Sequence, residues 1–170
     1  MAQNVEIKAK IESLERIREL VQPYVTEDLG VQQQVDTYFQ TPNGRLKVRQ
    51  IDDRSPQLIW YQRADESAAC ISTYELLDVP DRLITVLDQA FGIRIQVRKI
   101  RQILMYHNVR IHLDEVERLG TFLEFEGVIG PGNEEKISRE RVSFLCETLQ
   151  LDTSHYLETS YSDLLENQSA

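Results

Sequence analysis

The sequence predicts an α+β fold: an eight-stranded antiparallel β-barrel with a charged interior, flanked by about four helices. Three observations carry this. Short runs alternate hydrocarbon and charge, so each strand has one apolar and one charged face. In residues 4–11, Val5, Ile7, Ala9 and Ile11 alternate with Glu6, Lys8 and Lys10, and the pattern returns at 45–49, 97–101, 109–114 and 122–126. Most connections between strands are short, which implies antiparallel neighbours, and eight such strands can close on themselves. The helical segments are amphipathic and need an apolar surface to cover, which turns the charged strand faces inward.

The elements follow in order. After strand 4–11, Ser13 is the N-cap expected for helix 14–22, where Leu14, Ile17, Leu20 and Val21 share a face and Pro23 follows the stop. Strands 31–39 and 45–51 form a hairpin around Thr41-Pro42-Asn43-Gly44. Asp52-Asp53-Arg54-Ser55-Pro56 makes the next turn, strand 57–63 follows, and 64–69 reads as a polar loop. Strand 70–77 precedes Pro80, and helix 80–91 carries Leu83, Val86, Leu87 and Phe91 before Gly92. Strands 93–105 and 109–114 pair around Tyr106-His107-Asn108, and strand 121–129 ends at Gly130-Pro131-Gly132. A helix at 133–149 and a short one at 156–166 complete the chain. At 170 residues and 19.8 kDa, with no repeat, low-complexity stretch or linker, residues 1–170 read as one domain.

Composition narrows the function. Hydrophobic content of 41% and charged content of 28% fit a soluble globular protein. The net charge of −9 argues against a general nucleic-acid or membrane-surface binder, since both need a cationic footprint, but leaves room for a local basic pocket. The two cysteines, Cys70 and Cys146, have no metal-ligand spacing and read as reduced thiols, which suits the cytoplasm. No signal peptide is expected, because a strand begins almost at once.

Arg45, Lys47 and Arg49 share one strand face, as do Lys99 and Arg101; Lys8 and Lys10 add to the set, with Arg63 and Arg110 as further candidates. Arginine grips phosphate oxygens bidentately and lysine supplies a point charge. So many cations around one cavity repel one another unless an anion neutralises them, and a phosphate chain is the natural partner. On any single strand the plain alternative is a solvated face with salt bridges. Glu6, Asp114, Glu124 and Glu126 form the acidic set, with Glu75 a weaker member. Carboxylates at alternate positions, as at Glu124 and Glu126, can hold Mg²⁺ or Mn²⁺. Tyr38 shares a face with Asp36 and Gln34 and can assist proton transfer or bond a phosphate oxygen. His112, beside Arg110 and Asp114, reads as structural. Without a P-loop, GxGxxG, HExxH or Ser-His-Asp arrangement, a triphosphate has to be held by side chains.

Together these residues resemble the CYTH superfamily, which includes class IV adenylyl cyclases, thiamine triphosphatases and inorganic triphosphatases. The Glu-x-Glu-x-Lys signature of that family stands here as Asn4-x-Glu6-x-Lys8. Asp36-Thr37-Tyr38-Phe39 with Pro42-Asn43-Gly44-Arg45-Leu46-Lys47-Val48-Arg49 is similar to the cyclase-type branch. So are Arg110-Ile111-His112-Leu113-Asp114-Glu115-Val116-Glu117, Leu119-Gly120-Thr121-Phe122-Leu123-Glu124-Phe125-Glu126 and the C-terminal Ser160-Tyr161-Ser162-Asp163-Leu164-Leu165. The resemblance implies a triphosphate tunnel. Glu6, Glu124 and Glu126 would bind Mg²⁺ or Mn²⁺. Lys8, Lys10, Arg45, Lys47, Arg49, Lys99, Arg101 and Arg110 would bind phosphates, and Tyr38, Arg63 and Asp114 would stand at the chemistry. It also allows a homodimer. Two departures stand out: Asn4 replaces the first signature Glu and brings no charge, and Arg63 takes the place of a lysine thought to help activate water. Arginine stays protonated and cannot act as a general base, which tilts the reading from hydrolysis toward cyclisation of ATP. A triphosphatase, and a non-catalytic nucleotide or polyphosphate sensor, remain as alternatives.

Overall fold

The computed structural model describes residues 1–63 and 70–170; the polar loop expected at 64–69 lies outside them. Eight strands form one closed barrel: β1 (Ala2–Lys10), β2 (Glu27–Phe39), β3 (Arg45–Ile51), β4 (Gln57–Arg63), β5 (Cys70–Asp78), β6 (Ile93–Tyr106), β7 (Val109–Val116) and β8 (Gly120–Ile129). Around the barrel the order is β1-β5-β4-β3-β2-β6-β7-β8, and every pairing is antiparallel. Among the described residues, four α-helices flank it: α1 (Leu14–Val21), α2 (Leu83–Phe91), α3 (Glu135–Thr148) and α4 (Tyr161–Ser169). No helix is long and apolar enough to cross a membrane among the described residues.

Some boundaries differ from the sequence reading, each for a local reason. β2 begins at Glu27 because Glu27 and Asp28 already pair with Met105 and Leu104; the ladder shifts register before Val31, where Gly30 adopts φ 83°. α2 starts later than expected because Pro80 to Arg82 form a turn in which Leu83 N donates to Pro80 O at 2.9 Å. The expected helix at 156–166 is instead α4. Ser160 caps it by accepting from Asp163 N, and the Asp163 side chain accepts from Ser160 N. Upstream, Tyr156 bridges to Ala9 and Leu157 N donates to Lys8 O at 2.8 Å, so that stretch adds to the edge of β1.

The apolar strand faces point outward, toward the helices. Val5, Ile7, Val109, Ile111, Leu113, Leu123 and Phe125 form one buried cluster with Ile17 and Val21 of α1 and with Val142, Leu145 and Cys146 of α3. The approach of α3 is close: a Cβ on Gly127 would lie 3.1 Å from the Val142 side chain. A second cluster joins Tyr161 and Leu165 of α4 to Tyr38, Val97, Val116, Leu119 and Phe122. It caps the barrel end where β2 and β7 finish. Because a one-residue slip would exchange the two faces of a strand, burial of the apolar face fixes which residues look inward.

Candidate active site

The inward faces enclose a cavity of about 360 Å³. Lys8, Lys47, Arg49, Arg63, Lys99, Arg101 and Arg110 line it, together with Arg54 from the β3–β4 turn; three carboxylates face them, from Glu6, Glu124 and Glu126. Asp36 and Asp114 lie behind this lining, both fully buried. The cations stay in excess.

Asp36 organises the basic group. Arg49 donates to its two oxygens at 2.7 and 2.8 Å, Lys47 at 2.9 Å and Lys99 at 3.1 Å. Burial works against its charge, but Arg49, Lys47 and Lys99 hold the carboxyl well below the usual range. The same crowding acts in reverse on Lys99. Burial lowers its amine to about 7, with Arg101, Arg49 and Lys47 adding repulsion against the pull of Asp36. Asp114 plays the matching part for Arg101, accepting from its guanidinium at 2.6 and 2.5 Å and from the Tyr161 hydroxyl at 2.8 Å.

The acidic group sits on β1 and β8. Register places Glu6 directly opposite Glu126 and Lys8 opposite Glu124. Like charges facing across a ladder are destabilising unless a cation intervenes. Here Arg63 pairs with Glu6 at 2.9 Å and Arg110 with Glu126 at 2.8 Å, while Glu124 takes Lys8 at 3.2 Å and Arg101 at 2.7 Å. Burial raises the Glu6 carboxyl, and Glu126 and Glu124 add to the rise against Arg63. Burial also works against Glu124, but Lys8 and Arg101 hold it well below its ordinary value. His112 lies 3.4 Å from Glu124, and burial with Arg101 pushes its pKa down, favouring the neutral ring.

These donors suit a hard divalent cation. Glu6 and Glu126 converge, and Asn4 Oδ1 beside them is buried at 1% exposure with no hydrogen-bond partner. A neutral carbonyl and two carboxylates match the oxygen ligands Mg²⁺ and Mn²⁺ take. Among the described residues, however, no group of three His, Cys, Asp or Glu already stands at metal-binding spacing, so a metal would draw Glu6 and Glu126 from their arginines.

The structure gathers most of the residues singled out from sequence, but not all of them. Lys10 is exposed at the end of β1, with its ammonium 5.8 Å from the Phe122 ring, outside the cavity lining. Arg45 also lies outside it, bound to Asp163 of α4 at 2.7 Å. Asp114 lies outside the lining and reaches the cavity through Arg101 and Tyr161. Glu75 is exposed beside the chain's amino group at 3.4 Å. Tyr38 does line the cavity, 3.3 Å from Lys47 Nζ; burial and Asp36 push its phenol up, making it a hydrogen-bond donor and not a base. The sequence reading left out Asp36, although it shares the face of Tyr38 and faces Arg49 across the β2–β3 hairpin. It also left out Ser160 and Tyr161, which line the cavity from α4.

A barrel with charge inside and helices over its apolar exterior defines a tunnel-type protein. The chain belongs to the CYTH domain family, whose model matches residues 2–169. Comparison with curated protein sequences gives no match. Among solved structures, the PH1012 protein of Pyrococcus horikoshii superposes with TM-score 0.80 at 22% identity, over 95% of this chain and 98% of that one. A Vibrio parahaemolyticus protein provisionally assigned as an adenylate cyclase gives 0.74 at 21% identity, over 96% and 97%. An adenylyl cyclase candidate from Hippeastrum, described as having a dominant triphosphatase activity, gives 0.65 at 14% identity, over 99% and 96%. At these identities the likeness is one of fold.

Proposed function

We propose that the protein is a metal-dependent enzyme that binds ATP in its tunnel and forms cyclic AMP and pyrophosphate. The observation that carries this is the convergence of Lys8, Lys47, Arg49, Arg63, Lys99 and Arg101 on one cavity beside Glu6 and Glu126. The basic residues hold the phosphates and neutralise charge developing as the ribose 3′-hydroxyl attacks the α-phosphate. Tyr38 donates a hydrogen bond to a phosphate oxygen. Asp36 and Asp114 aim Lys47, Arg49, Lys99 and Arg101 without touching substrate. Bound by Glu6, Glu126 and the Asn4 carbonyl, with Glu124 nearby, Mg²⁺ or Mn²⁺ would supply Lewis-acid stabilisation of the phosphate oxygens. Arg63 supports cyclisation over hydrolysis: paired with Glu6 and raised above its already high pKa, it has no basic form to activate water.

The triphosphatase reading is favoured by the dominant triphosphatase activity ascribed to the similar Hippeastrum protein. Incubation with Mg²⁺ or Mn²⁺ and either ATP or tripolyphosphate separates the two. Cyclic AMP with pyrophosphate supports the first, and orthophosphate supports the second. Saturable binding without any product would leave a sensor. Glu126→Gln is expected to abolish turnover while keeping the fold, since the side chain faces the cavity and its arginine partner is part-exposed. Full activity in that variant would remove Glu126 from the chemistry.

A further inference from the structure

Tyr161 does more than close the barrel. It is the first residue of α4, it is buried, and it lines the cavity. Packing asks only for hydrocarbon there, and Leu165, one turn further along α4, meets that need in the same cluster. Other contacts set the tyrosine apart. The Lys8 ammonium lies over its ring, 4.1 Å from the centroid, and the Lys99 ammonium lies over it at 5.4 Å. Its hydroxyl donates to Asp114 at 2.8 Å, and its ring meets that of Phe122 at a steep angle, 5.0 Å between centroids. The hydroxyl and Phe122 fix how the ring is turned, so its face stays toward the two cations. β1 and β6 are not neighbours in the barrel, so no ladder brings Lys8 and Lys99 together; Tyr161 touches both.

Burial takes water from each ammonium and works against its charge. Lys8 keeps Glu124 at 3.2 Å and Lys99 keeps Asp36 at 3.1 Å. The negative face of an aromatic ring returns part of the lost hydration, and it is worth most where water is excluded. Around Lys99 the balance is close. Asp36 of β2 and Asp114 of β7 favour its charge, whereas Lys47 and Arg49 of β3 and Arg101 of β6 oppose it.

We infer that Tyr161 is a positioning residue for the phosphate site: its ring face holds the Lys8 and Lys99 ammoniums at the α4 end of the tunnel, where they meet a phosphate chain. This rests on the tunnel reading above and holds for either reaction.

The test measures binding of inorganic tripolyphosphate to the full chain by calorimetry, in a chelating buffer so that no metal contributes. The variants are Tyr161→Phe and the same position carrying a trifluorinated phenylalanine. Both keep the packing of the ring, but fluorine withdraws negative charge from its face. A desolvated ring contact is worth about tenfold in the protonation equilibrium of the amine over it. Losing it carries Lys99 further down from about 7. The fluorinated protein is therefore expected to bind tripolyphosphate about tenfold more weakly than Tyr161→Phe at about pH 8, but only about twofold more weakly at about pH 6, where the amine keeps much of its charge. Equal affinity of the two variants at both pH values, or a loss of the same size at both, would overturn the positioning role while leaving the phosphate site in place. If wild type binds tripolyphosphate at neither pH, the site and the part of Tyr161 in it fall together.

Discussion

Replacing Asp36 by asparagine tests the electrostatic design of the tunnel most directly. The change keeps the shape of a fully buried side chain but removes an anion that binds Lys47, Arg49 and Lys99 together. Breaking a buried ion pair from one side costs about 3–5 kcal/mol, because the partner charge stays behind uncompensated. In a chain of this size each kcal/mol moves the melting midpoint by roughly 2–4 °C, so a fall of about 6–20 °C is expected. Lys99, already lowered to about 7, loses its stabilising partner, so the measurement belongs near pH 6, where more of the amine is charged. Tripolyphosphate then replaces the missing anion. Its stabilising shift, about 2.7 kcal/mol at a hundredfold excess over Kd for wild type, is expected to grow in the variant. Melting curves with and without tripolyphosphate measure both effects. A midpoint within about 2 °C of wild type would refute the buried-charge argument, and a smaller ligand shift than wild type would refute a phosphate site beside Asp36.

Three further predictions follow from residues near the ends of the barrel. Arg45→Ala is expected to leave tripolyphosphate affinity within about twofold and to lower the melting midpoint by a few degrees, since Arg45 holds Asp163; a large affinity loss by calorimetry would return it to the phosphate set. Burial opposes the Asp163 charge, but Ser160, Arg45 and Arg94 lower its pKa to about 2. A depressed carboxyl stabilises the fold above its unfolded pKa of about 3.9 and loses that contribution as pH falls toward 2, here about 1–2 kcal/mol after discounting for partial exposure. Asp163→Asn should therefore flatten the acid limb of stability measured by urea unfolding between about pH 4 and 2, and an unchanged limb would count against the α4 anchor. Gly44 has φ 65°, and a Cβ there would lie 2.8 Å from Trp60 Nε1 and 2.9 Å from the Tyr61 carbonyl. Gly44→Ala is expected to cost about 1–3 kcal/mol by urea unfolding, and no loss would contradict the left-handed turn.

The barrel was legible because alternation over several strands reports faces directly, and the amphipathic helices decide which face is inside. Position along a strand is another matter. Lys10 and Arg45 lie on the predicted faces but near strand ends, where the barrel wall no longer encloses them. Depth is equally silent in the pattern: Asp114 and Arg101 both point inward, yet the carboxylate lies under the guanidinium. Asp36 sits among glutamines and a valine, a segment without a charge rhythm, and only pairing across the hairpin reveals its partners. Tyr161 enters from a helix far along the chain, a contact that strand periodicity cannot signal.

The cap formed by α4 has a kinetic meaning. Among the described residues, Ser160 and Tyr161 stand across one end of the cavity, with Tyr161 tied to Asp114 and its ring 4.1 Å from the Lys8 ammonium. Passage at this end is hindered by those side chains, so a ligand lying against them leaves after anything bound nearer the other mouth. Under the cyclase reading proposed above, a nucleotide lying phosphates-first would release the cyclic product before pyrophosphate, and pyrophosphate returning alone would occupy the seat the next substrate needs.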